Sequence, residues 1–165
     1  MDLPIVRYSK EVVPAPNQLP IAAHEAARGA AWLAKQVEVA LAEIDLTLPQ
    51  YRVLALLNDG SASATDAAER LAVSPPSVTA VIDGLVARTL VLRAPVAGDR
   101  RRVELVLTDA GTCTLSAADE AVATRLAAVS EFGPIERAGT DGLEALSWWR
   151  RALRGYYEAS RSTSR

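Results

Sequence analysis

Apolar residues along the 165-residue chain repeat with a helical period, change once to alternation, and then return to the helical period. From Pro20 to Asp45, Ala26, Ala30, Leu33, Val37, Leu41 and Ile44 recur every three or four positions, while Glu25, Arg28, Lys35, Glu38 and Glu43 fall mostly off that stripe. This predicts one long amphipathic helix. Thr47 and Gln50 form a capping box for a second helix, whose apolar face holds Tyr51, Leu54 and Leu57 and which Asn58-Asp59-Gly60 stops. Ser63, with Asp66 three positions on, caps a short third helix to Leu71, and Ala72-Val73 makes a tight turn. Ser74 then caps a fourth, with Pro75 at the first helical position. Val78, Val81, Ile82 and Leu85 give it one apolar face, and Ser77, Ala80 and Gly84 point the other way.

Alternation follows. Residues 91–94 and 102–107 read as two strands joined by a loop that holds Pro95, Gly98, Asp99, Arg100 and Arg101. Thr108-Asp109 starts a helix to about Ser130, and Phe132-Gly133-Pro134 breaks it. Leu143, Leu146, Trp149, Leu153 and Tyr157 form a last helical stripe before a solvated tail, residues 160–165. Residues 1–19, with Pro4, Pro14 and Pro16, read as an extended arm or a frayed terminus. The expected fold is mainly α with a small β-hairpin. The first and last helices have no strand layer to cover and need other helices, in the same chain or in a second subunit.

Two short helices joined by a tight turn and followed by a basic hairpin match a known way of reading a duplex. The second helix enters the major groove and the hairpin wing lies beside it. The wing's arginines can reach phosphates or a narrow minor groove. An isolated run such as Arg100-Arg101-Arg102 reads by default as a solvated turn. Its place directly after a helix-turn-helix favours DNA.

Composition adds limits. Ala dominates and aromatics are few, which favours helices. The net charge of −2 argues mildly against indiscriminate coating of nucleic acid. Sixteen of the 18 basic residues are Arg, the better fork for phosphates and guanine edges, though a GC-rich coding source explains this without any function and is the weightier reading. One cysteine excludes an intrachain disulfide and a multi-Cys zinc site. The start lacks a signal-peptide layout, and no apolar run approaches the ~18 residues that span a bilayer, so a soluble, cytoplasmic protein is expected. One His, one Cys and no Gly-rich phosphate loop leave little for an enzyme site, and no cofactor or metal is expected.

The series Leu48-Pro49-Gln50-Tyr51-Arg52-Val53-Leu54, Ala67-Ala68-Glu69-Arg70-Leu71, Val78-Thr79 and Ile82-Asp83-Gly84-Leu85 resembles the core of the MarR family of transcription regulators. So do Leu90-Val91, Arg93, Asp99-Arg100-Arg101 and Leu107-Thr108-Asp109-Ala110-Gly111. The resemblance implies a winged helix-turn-helix DNA-binding domain over residues 46–111 and a helical dimerisation region from residues 20–45 and 112–160. It also implies a homodimer that binds a palindromic operator in double-stranded DNA, as a repressor, and is released by a small aromatic or phenolic effector. Carried over position by position, Ser74, Pro75, Pro76, Ser77, Thr79 and Ala80 lie on the DNA-facing start of the recognition helix. Arg100 and Arg101 sit at the wing tip, with Asp99 orienting one of them or Arg93.

This chain departs from the family where many members carry basic residues: here stand Ala80 and Gly84. Base readout then rests on Ser77, Thr79 and contacts to thymine methyls. Thr89 replaces a usual Gly and tolerates a left-handed cap poorly, so the helix-to-strand junction is expected to differ. The alternative reading is a winged-helix protein-interaction or anti-repressor module without DNA binding. Cys113 reads as a buried structural thiol, His24 as a surface or interface residue, and Trp149 as interface. Trp32, Trp148, Tyr156 and Tyr157 are open between interface and effector pocket.

Overall fold

A computed structural model describes residues 21–60, 62–96, 99–132 and 142–163, and of residues 21–22, 99–102, 142–143, 154 and 156–163 the backbone alone. The proposed arm at residues 1–19 lies outside them. The elements are α1 (Ile21–Ala42), α2 (Leu48–Asn58), α3 (Ala64–Leu71), α4 (Pro75–Ala87), β1 (Val91–Val96), β2 (Asp99–Leu107), α5 (Asp109–Ser130) and α6 (Gly142–Thr163). The chain divides between Ala34 and Lys35, so the N-terminal part of α1 is one unit and everything from Lys35 onward is the other.

In the larger unit, α2 packs against α3, α4, β2 and α5. It buries Val53, Leu54, Leu56 and Leu57 among Leu41, Val78, Ile82, Leu85, Val91, Leu105 and Leu115. Fully burying one such side chain contributes about 1.5–3 kcal/mol, which is why short helices with local caps hold here.

Four helix starts, those of α2 to α5, are sealed by the caps their sequence predicts. Thr47 and Gln50 close a capping box on α2, and Ser63 and Asp66 close one on α3. Ser74 accepts from the Ser77 amide to start α4, and Thr108 accepts from Gly111 to start α5.

The helix ends use one device three times. Leu46 N–H bonds to Leu41 C=O, Val73 to Ala68 and Leu90 to Leu85, while Asp45, Ala72 and Thr89 bond to the carbonyls three residues back. This is the Schellman pattern, which needs a left-handed residue at the turn. Here those residues are Asp45, Ala72 and Thr89, at φ of 54°, 54° and 58°. The expectation that Thr89 would change the junction is thus corrected: the threonine takes the left-handed shape itself. The burial of Leu85 and Leu90, which meet across the turn, offsets the strain.

β1 and β2 pair antiparallel from Val91↔Leu107 to Pro95↔Val103, with a bulge between Pro95 and Val96 and then Val96↔Asp99. The pairing shortens the predicted loop. Pro95 stands in β1, and Asp99, Arg100 and Arg101 stand in β2. A single isolated bridge adds Ala62 to the outer edge of β2, its carbonyl accepting the Leu105 amide at 2.8 Å.

Two more expectations change. Cys113 is exposed, because α5 buries Gly111, Leu115, Ala118 and Val122 and residue 113 falls off that stripe. The predicted tail is helical as far as Thr163. No described helix is long and apolar enough to cross a membrane.

Candidate nucleic-acid interface

α4 presents two faces. Val78, Ile82 and Leu85 are buried, and Pro75, Pro76, Ser77, Thr79, Ala80 and Asp83 are exposed. The expected recognition residues therefore share one open surface at the start of the helix. Helix starts commonly hold anions through free amides. This one does so poorly, since Pro75 and Pro76 have no N–H and the Ser77 amide bonds to Ser74 Oγ at 3.4 Å. Anion contact must come from side chains.

Those side chains are partly engaged. Ser74 Oγ and Ser77 Oγ lie 2.7 Å apart, and Thr79 Oγ1 donates to the Pro75 carbonyl at 2.8 Å. Thr79 bonding back one turn is a common helical habit that leaves its lone pairs free.

One charged residue of this face was absent from the predicted site. Asp83, one turn beyond Thr79, accepts from Arg93 Nη2 at 2.6 Å. The strand pairing explains the meeting. Arg93 lies opposite Leu105 and shares its face with Val91, both buried, so it points toward α4. Leu92 and Val106 lie opposite each other on the outer face and stay exposed. Arg93, one of the partners considered for Asp99, thus pairs with Asp83. The signal was present: Asp83 follows Thr79 by four residues on an exposed face. The side chains of Asp99, Arg100 and Arg101 lie outside the described residues.

Below the interface, arginines serve as structural ties. Arg52 donates to the Leu71 carbonyl at 3.0 Å, satisfying the end of α3. Arg88 donates to the Asp45 carbonyl at 2.6 Å. The bond from the Tyr51 hydroxyl to Asp119 Oδ1, at 2.6 Å, joins α2 to α5. Arg150 of α6 approaches Asp59 at 3.8 Å.

Burial, and then the bond to Asp119, hold the Tyr51 phenol well above its ordinary value, with Arg150 opposing weakly. The raised group stabilises the fold fully below about pH 10, where the unfolded phenol titrates, and loses that effect as pH rises further. Tyr51→Phe should cost about 1 kcal/mol at pH 7 and remove this alkaline loss. Urea midpoints that fall in parallel for both proteins between pH 9 and 11 would contradict it.

Trp32, Trp148 and Trp149 are exposed, the last two in edge-to-face contact at 5.1 Å, and His24 is exposed. Tyr156 and Tyr157 side chains lie outside the described residues. Among the described residues no group of three His, Cys, Asp or Glu is placed to hold a metal.

Comparison with known proteins places this geometry. Residues 44–102 match the MarR family model. Among solved structures, the chain resembles RV1404 from Mycobacterium tuberculosis at 26% identity and a TM-score of 0.67, over 80% of this chain and 91% of that one. It resembles the transcriptional repressor CouR, solved on a 23-mer DNA duplex, at 29% and 0.65, over 80% and 91%. At 20% and 0.65, over 83% and 92%, it shares the fold of CouR from Rhodococcus jostii RHA1 bound to p-coumaroyl-CoA. No curated protein sequence matches. The helix-turn-helix with its hairpin, together with these matches, supports a MarR-family winged helix-turn-helix regulator, with the family's own pattern carried by residues 44–102.

Proposed function

We propose that the protein is a homodimeric repressor that binds a palindromic operator through α4 and the wing, and that a small aromatic or phenolic ligand releases it. The observation that carries this reading is the open face of α4, where Ser74, Pro75, Pro76, Ser77, Thr79 and Ala80 stand exposed while the opposite face is fixed in the core. The wing follows directly in the chain, with Asp99, Arg100 and Arg101 at the start of β2. Because α4 offers no long basic fork at Ala80 or Gly84, Arg100 and Arg101 supply much of the phosphate contact.

Dimerisation is supported by apolar surface on the other elements. Val129, Phe132, Trp148, Trp149 and Leu153 are all exposed, and Phe132 reaches 91%. Aromatic residues of this kind are enriched in interface cores. Each subunit would then bring one α4 to a half-site. The effector reading leans on the p-coumaroyl-CoA held by the Rhodococcus CouR.

The test is a polarisation assay with the duplex flanking the protein's own coding region. Saturable binding to an inverted repeat, resistant to competitor DNA, is expected. Arg101→Ala should weaken it and lower the salt slope by roughly 1. An unchanged slope removes Arg101 from the contacts. A monomer by light scattering overturns the dimer.

A further inference from the structure

The hydroxyl hydrogen of Thr79 is already spent. Thr79 Oγ1 donates to the Pro75 carbonyl at 2.8 Å, so what it shows outward is an acceptor. Its nearest neighbours toward the helix C-terminus, Ala80 and Asp83, add no donor of their own. Ala80 ends in a methyl group, and the Asp83 carboxylate is held by Arg93. The Ser74–Ser77 pair shares one hydrogen and keeps one more, half a turn nearer the helix start.

In the major groove, adenine and cytosine present an amino donor at the place where thymine and guanine present a carbonyl oxygen. The geometry points to Thr79 as a specificity-determining residue that selects an amino base over a keto base at one position of each half-site. Donation to a keto oxygen would require Thr79 to give up the bond to Pro75. The preference is worth one hydrogen bond, roughly three- to ten-fold in affinity. This rests on the reading that α4 enters the major groove.

Selection from a random-core duplex library, with the full chain as wild type, Thr79→Val and Thr79→Ser, tests it. Wild type and Thr79→Ser should enrich sites with one column per half-site confined to adenine or cytosine. Thr79→Val should lose that confinement while still binding DNA. In an adenine-bearing site, replacing that adenine with unsubstituted purine should cost wild type roughly three- to ten-fold and Thr79→Val nothing. The same columns constrained alike in wild type and Thr79→Val, or an equal loss in both proteins, overturns the inference and leaves the α4 reading intact. Enrichment of no duplex by wild type overturns both.

Discussion

Replacing Gly111 with alanine is expected to cost about 3 kcal/mol or more of folding stability, the largest effect of an added methyl at any described glycine. A Cβ there would sit 2.1 Å from the Leu90 carbonyl oxygen and 3.0 Å from Leu107 Cδ2. The carbonyl cannot simply yield. It accepts the Thr108 amide at 3.2 Å and shares the Thr108 hydroxyl, 3.2 Å away, with the nearer Thr89 carbonyl at 2.8 Å, and Leu90 also closes the end of α4. One added carbon therefore disturbs the end of α4, the base of the wing and the cap of α5 together. In a chain of this size the loss lowers the melting temperature by roughly 6–12 °C. Gly155→Ala is the control, since nothing lies within 4 Å of a Cβ there. Circular dichroism melts of the two variants settle the matter: equal midpoints would mean that the close approach at Leu90 is not real.

Arg93→Ala should weaken operator binding about ten-fold while leaving the folding midpoint nearly unmoved. The pair with Asp83 is partly exposed, with side chains 44% and 57% accessible, so its worth to the fold is at most about 1 kcal/mol. Its worth to binding is different. Without the guanidinium, a bare carboxylate stands on the exposed face of α4, which the proposed function sets against DNA, and like charges across an interface are costly. The double variant Asp83→Asn/Arg93→Ala removes that charge and should recover most of the loss. Titrations at matched salt read this directly. A double variant as weak as the single one would show that Arg93 acts by its own contact to DNA, with no part played by the carboxylate.

What the sequence made legible was whatever is local. Thr47 with Gln50, Ser63 with Asp66, Ser74 with Pro75, and Thr108 each signal a helix start within three residues, and all four starts lie where those signals put them. The hairpin was legible from its alternation, but its turn was not. The bulge after Pro95 depends on how two strands settle against each other, which no single segment encodes. Contacts between distant residues were equally hidden. Tyr51 and Asp119 are 68 positions apart, and nothing in either segment announces the other. The Asp83–Arg93 pair needs the inner face of β1 to be known first. Cys113 was a different kind of miss. The spacing of Gly111, Leu115, Ala118 and Val122 already excluded it from the buried stripe, so the signal was there and went unread.

The left-handed turns at Ala72 and Thr89 bracket α4 and bear on how the protein moves. Glycine at such a turn roams a broad basin of backbone angles, whereas a residue with a Cβ is confined to a small one. With alanine before α4 and threonine after it, the helix sits between two stiff joints. It cannot swivel freely on its ends. On the proposed reading, a signal that moves α4 relative to DNA is expected to move α3 and the start of the wing with it.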